Sequence, residues 1–198
     1  SWDDGENLVL AGTAGTGKTF MALYLALEDM LDKETEWDKV VIIRSMVPTR
    51  DMGYLPGDKE AKEEAFTTPY KNICSELFGD KASYNKMVTA NQIQFESTSF
   101  IRGATFDNTI IIVDEMQNLN FHELDSVITR VGRHSKIIFC GDYKQSDFKY
   151  DDEKNGLIKF LQIVEQLRNF TIINFGWEDI VRSDFVRDYI MTKEMLGY

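Results

Sequence analysis

Residues 12–19 have the types and spacing of a phosphate-binding loop. They read Gly-Thr-Ala-Gly-Thr-Gly-Lys-Thr, follow an apolar run at residues 8–11 and lead into an apolar helical pattern. Glycines allow a turn tight enough for successive backbone N–H groups to point at a phosphate, and the positive end of the helix dipole faces the same point. The pattern predicts a nucleotide-binding loop composed of Gly12, Thr13, Ala14, Gly15, Thr16, Gly17, Lys18 and Thr19.

Two side chains of this loop have direct uses in holding a triphosphate. Lys18 would reach the β- and γ-phosphates, and Thr19 would offer its hydroxyl to Mg²⁺, which prefers hard oxygen ligands and keeps several waters. An ordinary glycine-rich turn is the alternative, but a strand, a loop and a helix pattern occur here together. We therefore expect a nucleoside triphosphate and Mg²⁺ as ligands.

An acidic pair, Asp114 and Glu115, follows the apolar run at residues 109–113. Asp114, at the carboxyl end of a strand, can hold a water of the Mg²⁺ shell. Glu115 can face the γ-phosphate and orient or deprotonate an attacking water. A solvated turn or a helix N-cap is the ordinary alternative for such a pair. With the phosphate-binding loop upstream, we predict hydrolysis rather than binding alone.

A third polar segment follows the apolar run at residues 136–140 and begins with Gly141 and Asp142. An amide at the end of a neighbouring strand can sense whether a γ-phosphate is present. Gln145 is the candidate for that role, and Gln117 is a second one. By local chemistry alone, Gly141 and Asp142 are also typical of a plain turn.

These segments require an α/β fold to bring them together, because apolar runs alternate with helical patterns along the chain. The predicted strands are residues 8–11, 40–43, 92–96, 109–113, 137–140 and 171–174. The predicted helices are residues 18–31, the region near 70–77, and residues 121–130, 157–167 and 181–195. Residues 44–69 contain all three prolines and are predicted to form a long, functional or mobile loop. We expect one domain over residues 1–198, with a mainly parallel sheet flanked by helices on both faces.

Composition limits the function classes. The formal net charge of −11 argues against an extended basic surface for duplex DNA, although a narrow groove for a single strand needs only a few cations and aromatics. The two cysteines lack zinc-site spacing and fit reduced thiols. No apolar run has the length of a membrane span, and the first residues lack a signal-peptide pattern. We expect a cytoplasmic protein without a membrane partner.

A series of motifs, in one order over almost the whole chain, resembles a known family. The segments are residues 12–19, 53–58, 69–70, 101–105, 114–118, 129–130, 141–147 and 179–182. Together they resemble the PhoH-like family of ATPases, and residues 44–50 and 121–126 resemble the versions carried by tailed bacteriophages. That family is similar to the first motor domain of superfamily-one helicases. The resemblance implies a RecA-like P-loop sheet in which residues 136–140 form a strand between those that precede Lys18 and Asp114.

The resemblance also implies roles for residues outside the loop. Gln145 would stand beside the γ-phosphate, and Arg182 matches the helicase arginine that contacts the γ-phosphate across the cleft. The second helicase domain has no counterpart, so an arginine from a neighbouring subunit of a homohexamer would replace it. Arg102, Arg130 and Arg182 are candidates, and the position of Arg102 favours it as a pore or interface residue. The segment with which the family contacts adenine has no counterpart before Leu8. The choice of ATP as the nucleotide therefore depends on the resemblance.

The function implied is Mg²⁺-dependent ATP hydrolysis, coupled to movement or remodelling of single-stranded RNA or DNA in a ring. Two alternatives stay open. One is a nucleotide-gated assembly or regulatory protein without nucleic-acid activity. The other is a P-loop kinase, which Glu115 disfavours because a kinase must exclude water.

Overall fold

A parallel six-stranded sheet is the centre of the structure, a computed structural model that describes residues 2–13, 15–46, 59–101, 103, 105–142, 154–179 and 184–197. The strands are β1 (Asn7–Gly12), β2 (Lys39–Arg44), β3 (Ile93–Ser97), β4 (Thr109–Val113), β5 (Lys136–Gly141) and β6 (Phe170–Phe175). All six match predicted strands, with ends that differ by no more than one residue.

The strand order is β3-β2-β4-β5-β1-β6, and each neighbouring pair is parallel. Strand β5 lies between β1 and β4, with Leu10 beside Cys140 and Ile112 beside Ile138. The expected inserted strand and the RecA-like α/β fold are therefore confirmed. This order brings the carboxyl ends of β1, β4 and β5 to one edge, where open α/β sheets bind ligands.

The described helices are α1 (Lys18–Leu31), α2 (Lys59–Phe78), α3 (Ser83–Thr89), α4 (Phe121–Ile128), α5 (Lys154–Glu165) and α6 (Asp184–Met195). Helices α1, α2 and α3 pack on one face of the sheet, against a cluster that includes Leu8 and Ile42. Helices α4 and α5 pack on the other face, against a cluster that includes Val9 and Ile43. Each helix along the described chain falls short of the length and apolar character that a membrane span needs.

Burial on both faces explains why the strands were predictable. Successive residues of a strand point to opposite faces, so a strand covered on both sides needs apolar residues at every position. Strand β4 meets this requirement, since all five of its residues are buried. Cys74 and Cys140 are both buried free thiols.

The predicted loop at residues 44–69 is wrong for its last part, because α2 begins at Lys59. The segment from Lys59 to Ala65 is rich in Lys, Glu and Ala, which favour helix. Pro69 lies inside α2, although proline lacks the N–H of a helical bond and usually ends a helix. The earlier part of the loop, residues 47–58, lies outside the described residues.

Smaller differences concern short elements and helix ends. Helix α3 has seven residues and was not predicted; its Ser, Asn and Thr residues are weak helix formers. Helix α4 ends at Ile128 instead of residue 130, and α5 begins at Lys154 instead of residue 157. These shifts move no residue of the predicted loop or acidic pair.

A capping box fixes the start of α4, directly after the acidic pair. The Asn120 side chain accepts from the Glu123 N–H at 2.8 Å, and the Glu123 carboxylate accepts from the Asn120 N–H at 3.1 Å. Reciprocal bonds of this kind satisfy two donors that the helix itself cannot.

Asn120→Ala should lower the free energy of unfolding by about 1 kcal/mol, because the first turn of α4 loses its acceptor. Urea denaturation monitored by circular dichroism measures the change. Asn120→Asp is the matched control, since its carboxylate keeps the acceptor and should cost less. Equal stability of wild type and the alanine variant would show that the cap does not hold this helix.

Candidate nucleotide-binding site

The phosphate-binding loop joins β1 to α1 at the carboxyl edge of the sheet. Gly15 and Gly17 have φ angles of +78° and +82°, the left-handed region that favours glycine. Gly17 is the N-cap of α1, and the helix start has no side-chain cap. The backbone N–H groups of a helix start are the donors that bind anions, so this arrangement suits a phosphate.

Gly12 is required for a different reason, because the backbone of the neighbouring strand β6 passes close to it. It has φ +136°, and a Cβ at this position would lie 2.2 Å from the carbonyl oxygen of Phe175 in β6. Gly12 pairs with Phe175 in the parallel register. The first glycine of the loop therefore lets β6 pass the end of β1.

The Lys18 side chain is buried and folded back over the loop. Its ammonium donates to the carbonyl oxygens of Thr13 at 2.7 Å and Gly12 at 3.4 Å. It also donates to the Thr16 hydroxyl at 3.3 Å and forms an ion pair with Asp142. A buried ammonium needs such partners, and together they hold the charge at the mouth of the loop.

Three donors hold the carboxylate of Asp114, which is only 3% exposed. Its Oδ1 accepts from the Thr19 hydroxyl and from the Glu115 N–H, each at 3.0 Å. Its Oδ2 accepts from the Tyr70 hydroxyl at 2.7 Å. The donors come from α1, α2 and the residue that follows, so the carboxylate joins three parts of the fold.

Glu115 stands beside this carboxylate with a left-handed backbone, at φ +52°. Such a conformation is uncommon for a residue other than glycine, asparagine or aspartate. Its Oε2 accepts from Gln117 Nε2 at 2.5 Å, while Gln117 Oε1 accepts from the Asp142 N–H at 3.1 Å. The Gln117 amide therefore connects the carboxyl ends of β4 and β5.

The electrostatic surroundings favour the protonated form of Glu115. Burial, and next the negative charge of Asp114, raise the pKa of Glu115 above its ordinary value, with a smaller contribution from Asp142. The Gln117 hydrogen bond and the charge of Arg44 lower the pKa in part. A carboxylate with a raised pKa is a stronger base at neutral pH.

A cavity of about 260 Å³ lies where these groups meet. It is lined by the loop and by the ends of β4 and β5, namely Gly15, Gly17, Lys18, Thr19, Phe20, Asp114, Glu115, Gly141 and Asp142. A larger cavity of about 810 Å³ lies along β3 and contains none of these residues. The smaller one is the candidate site because charged groups with opposite signs and a helix start converge on it.

The oxygen donors at this cavity suit Mg²⁺. Thr19 supplies a hydroxyl and Asp114 a carboxylate, both hard ligands, and they lie within hydrogen-bond distance of each other. Within the described part of the chain, no cluster of three or more His, Cys, Asp or Glu residues could hold a metal on its own. Mg²⁺ is commonly held by one or two protein oxygens together with substrate phosphates.

The structure brings together most of the residues predicted for the site, and Gln117 joins them. Ala14, Arg102, Gln145 and Arg182 lie outside the described residues, so their predicted roles stay predictions. Arg130 lies at the opposite edge of the sheet from the loop: its carbonyl accepts from the Phe106 N–H, before β4 begins. Its Nε donates to the Ile101 carbonyl at 3.3 Å.

Sequence reasoning missed two residues that reach this site. Arg44 is the last residue of β2 and lies beside Asp114 at the sheet edge, since Ile43 pairs with Val113. A signal for Arg44 was available, because it is a charged residue directly after an apolar run, the same pattern that indicated Asp114. Tyr70 lies in the motif segment at residues 69–70, but its residue type and spacing indicated no role at this site. Burial and the nearby Asp114 raise its pKa well above the ordinary value, so its phenol is a hydrogen-bond donor.

The family follows from the match of a family model described as "PhoH-like protein" to residues 4–193. The chain belongs to the PhoH-like family. It is 37% identical to Protein PhoH2 of Bacillus subtilis, over 81% of this chain and 37% of that protein. It is 32% identical to a PhoH-like protein of Synechocystis, over 92% of this chain and 55% of that protein, and 30% identical to Protein PhoH of Escherichia coli K12, over 91% and 51%. The chain thus spans about half the length of these relatives, or less.

Solved structures with the same fold include the large terminase of the thermophilic bacteriophage D6E. Its complex with ADP has a TM-score of 0.55 and 11% identity, and its complex with ATP-gamma-S has a TM-score of 0.60 and 13% identity. Both comparisons cover 98% of this chain and 45% of the terminase chain. At this identity the likeness establishes the P-loop fold of the PhoH-like chain.

Gln117→Leu should raise the pKa of Glu115 further, because the carboxylate loses the amide donor that favours its ionised form. Glu115 would then deprotonate at a higher pH than in the wild type. Titration of the Glu115 carboxyl carbon by NMR measures this shift. Gln162→Leu, on the exposed side of α5, is the matched control and should leave the titration unchanged. A lower pKa in the Gln117 variant would contradict the role given to the amide.

Proposed function

We propose that this chain binds ATP with Mg²⁺ and hydrolyses it, and that hydrolysis moves or remodels single-stranded RNA or DNA within a ring of identical subunits. The observation that carries the proposal is the convergence of the loop, Asp114 and Glu115 on one cavity of about 260 Å³. A terminase with the same fold has been solved with ADP and with ATP-gamma-S, which supports a nucleotide as the ligand.

Binding would use the loop and two side chains next to it. The N–H groups at the start of α1 and the Lys18 ammonium would bind phosphate oxygens. The Thr19 hydroxyl and the Asp114 carboxylate would hold Mg²⁺, directly or through water. The metal would neutralise phosphate charge.

Hydrolysis would depend on Glu115 as the base. A water oriented by its carboxylate would attack the γ-phosphorus, the bond to the bridging oxygen would break, and the water proton would pass to Glu115. The products would be ADP and phosphate. The Gln117 bond at 2.5 Å would keep the carboxylate directed into the site and link it to the Asp142 backbone.

Two variants separate binding from chemistry. Lys18→Ala should abolish nucleotide binding, because the site loses its buried cation. Glu115→Gln should keep binding while lowering the turnover of ATP about 10²- to 10⁴-fold, because the base is removed and the shape is kept. Equilibrium binding of a fluorescent ATP analogue and phosphate release measure the two effects. Unchanged binding in Lys18→Ala, or unchanged turnover in Glu115→Gln, would contradict the proposal.

The coupling to single strands is supported by family membership and by the helicase-like spacing of the phosphate-binding loop, the acidic pair and the segment that begins at Gly141. A net charge of −11 is compatible with a narrow contact to a single strand and unfavourable to a broad basic surface. Self-association is supported by exposed apolar side chains on α6. Phe185 is 80% exposed and Tyr189, one turn later, 62%. Apolar groups exposed together are typical of interaction surfaces.

Single-stranded RNA or DNA should increase ATP turnover several-fold when added to protein whose oligomeric state has been measured by sedimentation. Duplex DNA of the same length is the control and should have a smaller effect. Constant turnover over a broad set of oligonucleotides, together with an oligomer that changes between ATP and ADP, would instead favour the second candidate, a nucleotide-gated assembly protein. This second candidate is supported by the net negative charge, which disfavours nucleic acid, and by the exposed apolar side chains of α6, which suit a protein partner.

A further inference from the structure

Tyr70 is a buried side chain of α2 whose polar atom points at the candidate site. It is 1% exposed, and its hydroxyl donates to Asp114 Oδ2 at 2.7 Å. The bond joins residues that are 44 positions apart in the sequence. Phenylalanine would fill nearly the same volume, so the hydroxyl and its hydrogen bond are what tyrosine adds at this position.

The hydroxyl completes the hydrogen bonding of a buried carboxylate. Oδ1 of Asp114 already accepts from Thr19 and from the Glu115 backbone. For Oδ2, the described donor is Tyr70. A buried carboxylate oxygen without a donor is costly, and a carboxylate bonded through only one oxygen can rotate. The Tyr70 bond therefore opposes rotation of the Asp114 carboxylate plane.

Packing fixes the position of this hydroxyl. The Tyr70 ring lies in the core cluster on the α1 side of the sheet, with its centroid 6.2 Å from that of Phe95 in β3. One turn before Tyr70, Arg44 anchors the helix to β2. Its guanidinium lies 5.2 Å from the centre of the Phe66 ring and contacts the Phe66 carbonyl at 3.5 Å. The contacts with the sheet and with Arg44 thus fix the position of helix α2, and with it the position of the Tyr70 hydroxyl.

We propose that Tyr70 is a positioning residue that orients the Asp114 carboxylate for Mg²⁺ and so couples helix α2 to the nucleotide site. The inference rests on the proposed function, because it assigns Mg²⁺ to Asp114. Residues that hydrogen-bond a metal-binding carboxylate commonly change metal affinity or activity about 10- to 100-fold when they are removed.

Tyr70→Phe tests this coupling by removing the hydroxyl and keeping the ring. The affinity for a fluorescent ATP analogue is measured during a Mg²⁺ titration and again in EDTA. We expect half-saturation to need about 10- to 100-fold more Mg²⁺ in the variant, with the affinity in EDTA unchanged. Tyr84→Phe is the matched control. Tyr84 is buried in the same cluster and belongs to α3, and its substitution should leave the Mg²⁺ requirement unchanged.

A double-mutant cycle separates positioning from a general structural role. In an Asp114→Asn background, Tyr70→Phe should cause no further change in the Mg²⁺ requirement, because the group through which it acts has been altered. An unchanged Mg²⁺ requirement in the single variant overturns the inference. An equal loss of affinity with and without Mg²⁺ also overturns it, since that result indicates general damage.

A measurement on the wild type keeps the inference testable if the variant does not fold. Addition of Mg²⁺ to the nucleotide-bound protein should shift the assigned ¹³Cζ signal of Tyr70 and leave that of Tyr84 in place. A Tyr70 signal that does not move overturns the inference. Wild-type protein that binds no nucleotide at all, with or without Mg²⁺, would instead refute the proposed function.

Discussion

The buried carboxylate of Asp114 is the group on which the arrangement of the site depends. A negative charge at 3% exposure is stable only when donors surround it, and the chain supplies them from three directions. The Thr19 hydroxyl fixes the first turn of α1 relative to β4, and the Tyr70 hydroxyl fixes α2. The backbone of Glu115 turns sharply at the strand end with a φ of +52°, and its N–H donates to the same carboxylate. The local structure around the carboxylate therefore follows from the need to hydrogen-bond it.

The sheet edge imposes a second constraint, which is space. Strand β5 lies between β1 and β4, so the chain segments that leave these strands are crowded together. A Cβ on Gly141 would lie 2.5 Å from Gln117 Oε1 and 2.5 Å from Met116 Cγ, while one on Gly12 would meet the carbonyl of Phe175. Glycine at position 141 leaves room for the Gln117 amide to connect Glu115 with Asp142, whereas glycine at position 12 leaves room for β6. Packing at this edge thus determines the geometry of the polar groups.

Fold class and strand positions followed from hydrophobic pattern, because strands buried on both faces must be apolar throughout. The start of α2 did not follow, because two local signals conflict there. Lys, Glu and Ala residues after position 58 favour helix, whereas Pro69 indicates a break. The tertiary structure retains the proline within the helix, where the Thr68 hydroxyl bonds the Glu64 carbonyl at 2.8 Å and Arg44 contacts the Phe66 carbonyl. Contacts with a distant strand are not visible in a local pattern.

The sequence by itself determined the phosphate-binding loop, the acidic pair and the parallel sheet, because each of these depends on residue types at short, fixed spacing. Only the tertiary structure decided which side chains meet them. The Asp142 ion pair with Lys18, the Gln117 bridge and the Tyr70 bond to Asp114 join residues far apart in the chain. Their partners are set by strand order and helix packing, which hydrophobic burial fixes over the whole domain rather than within one segment.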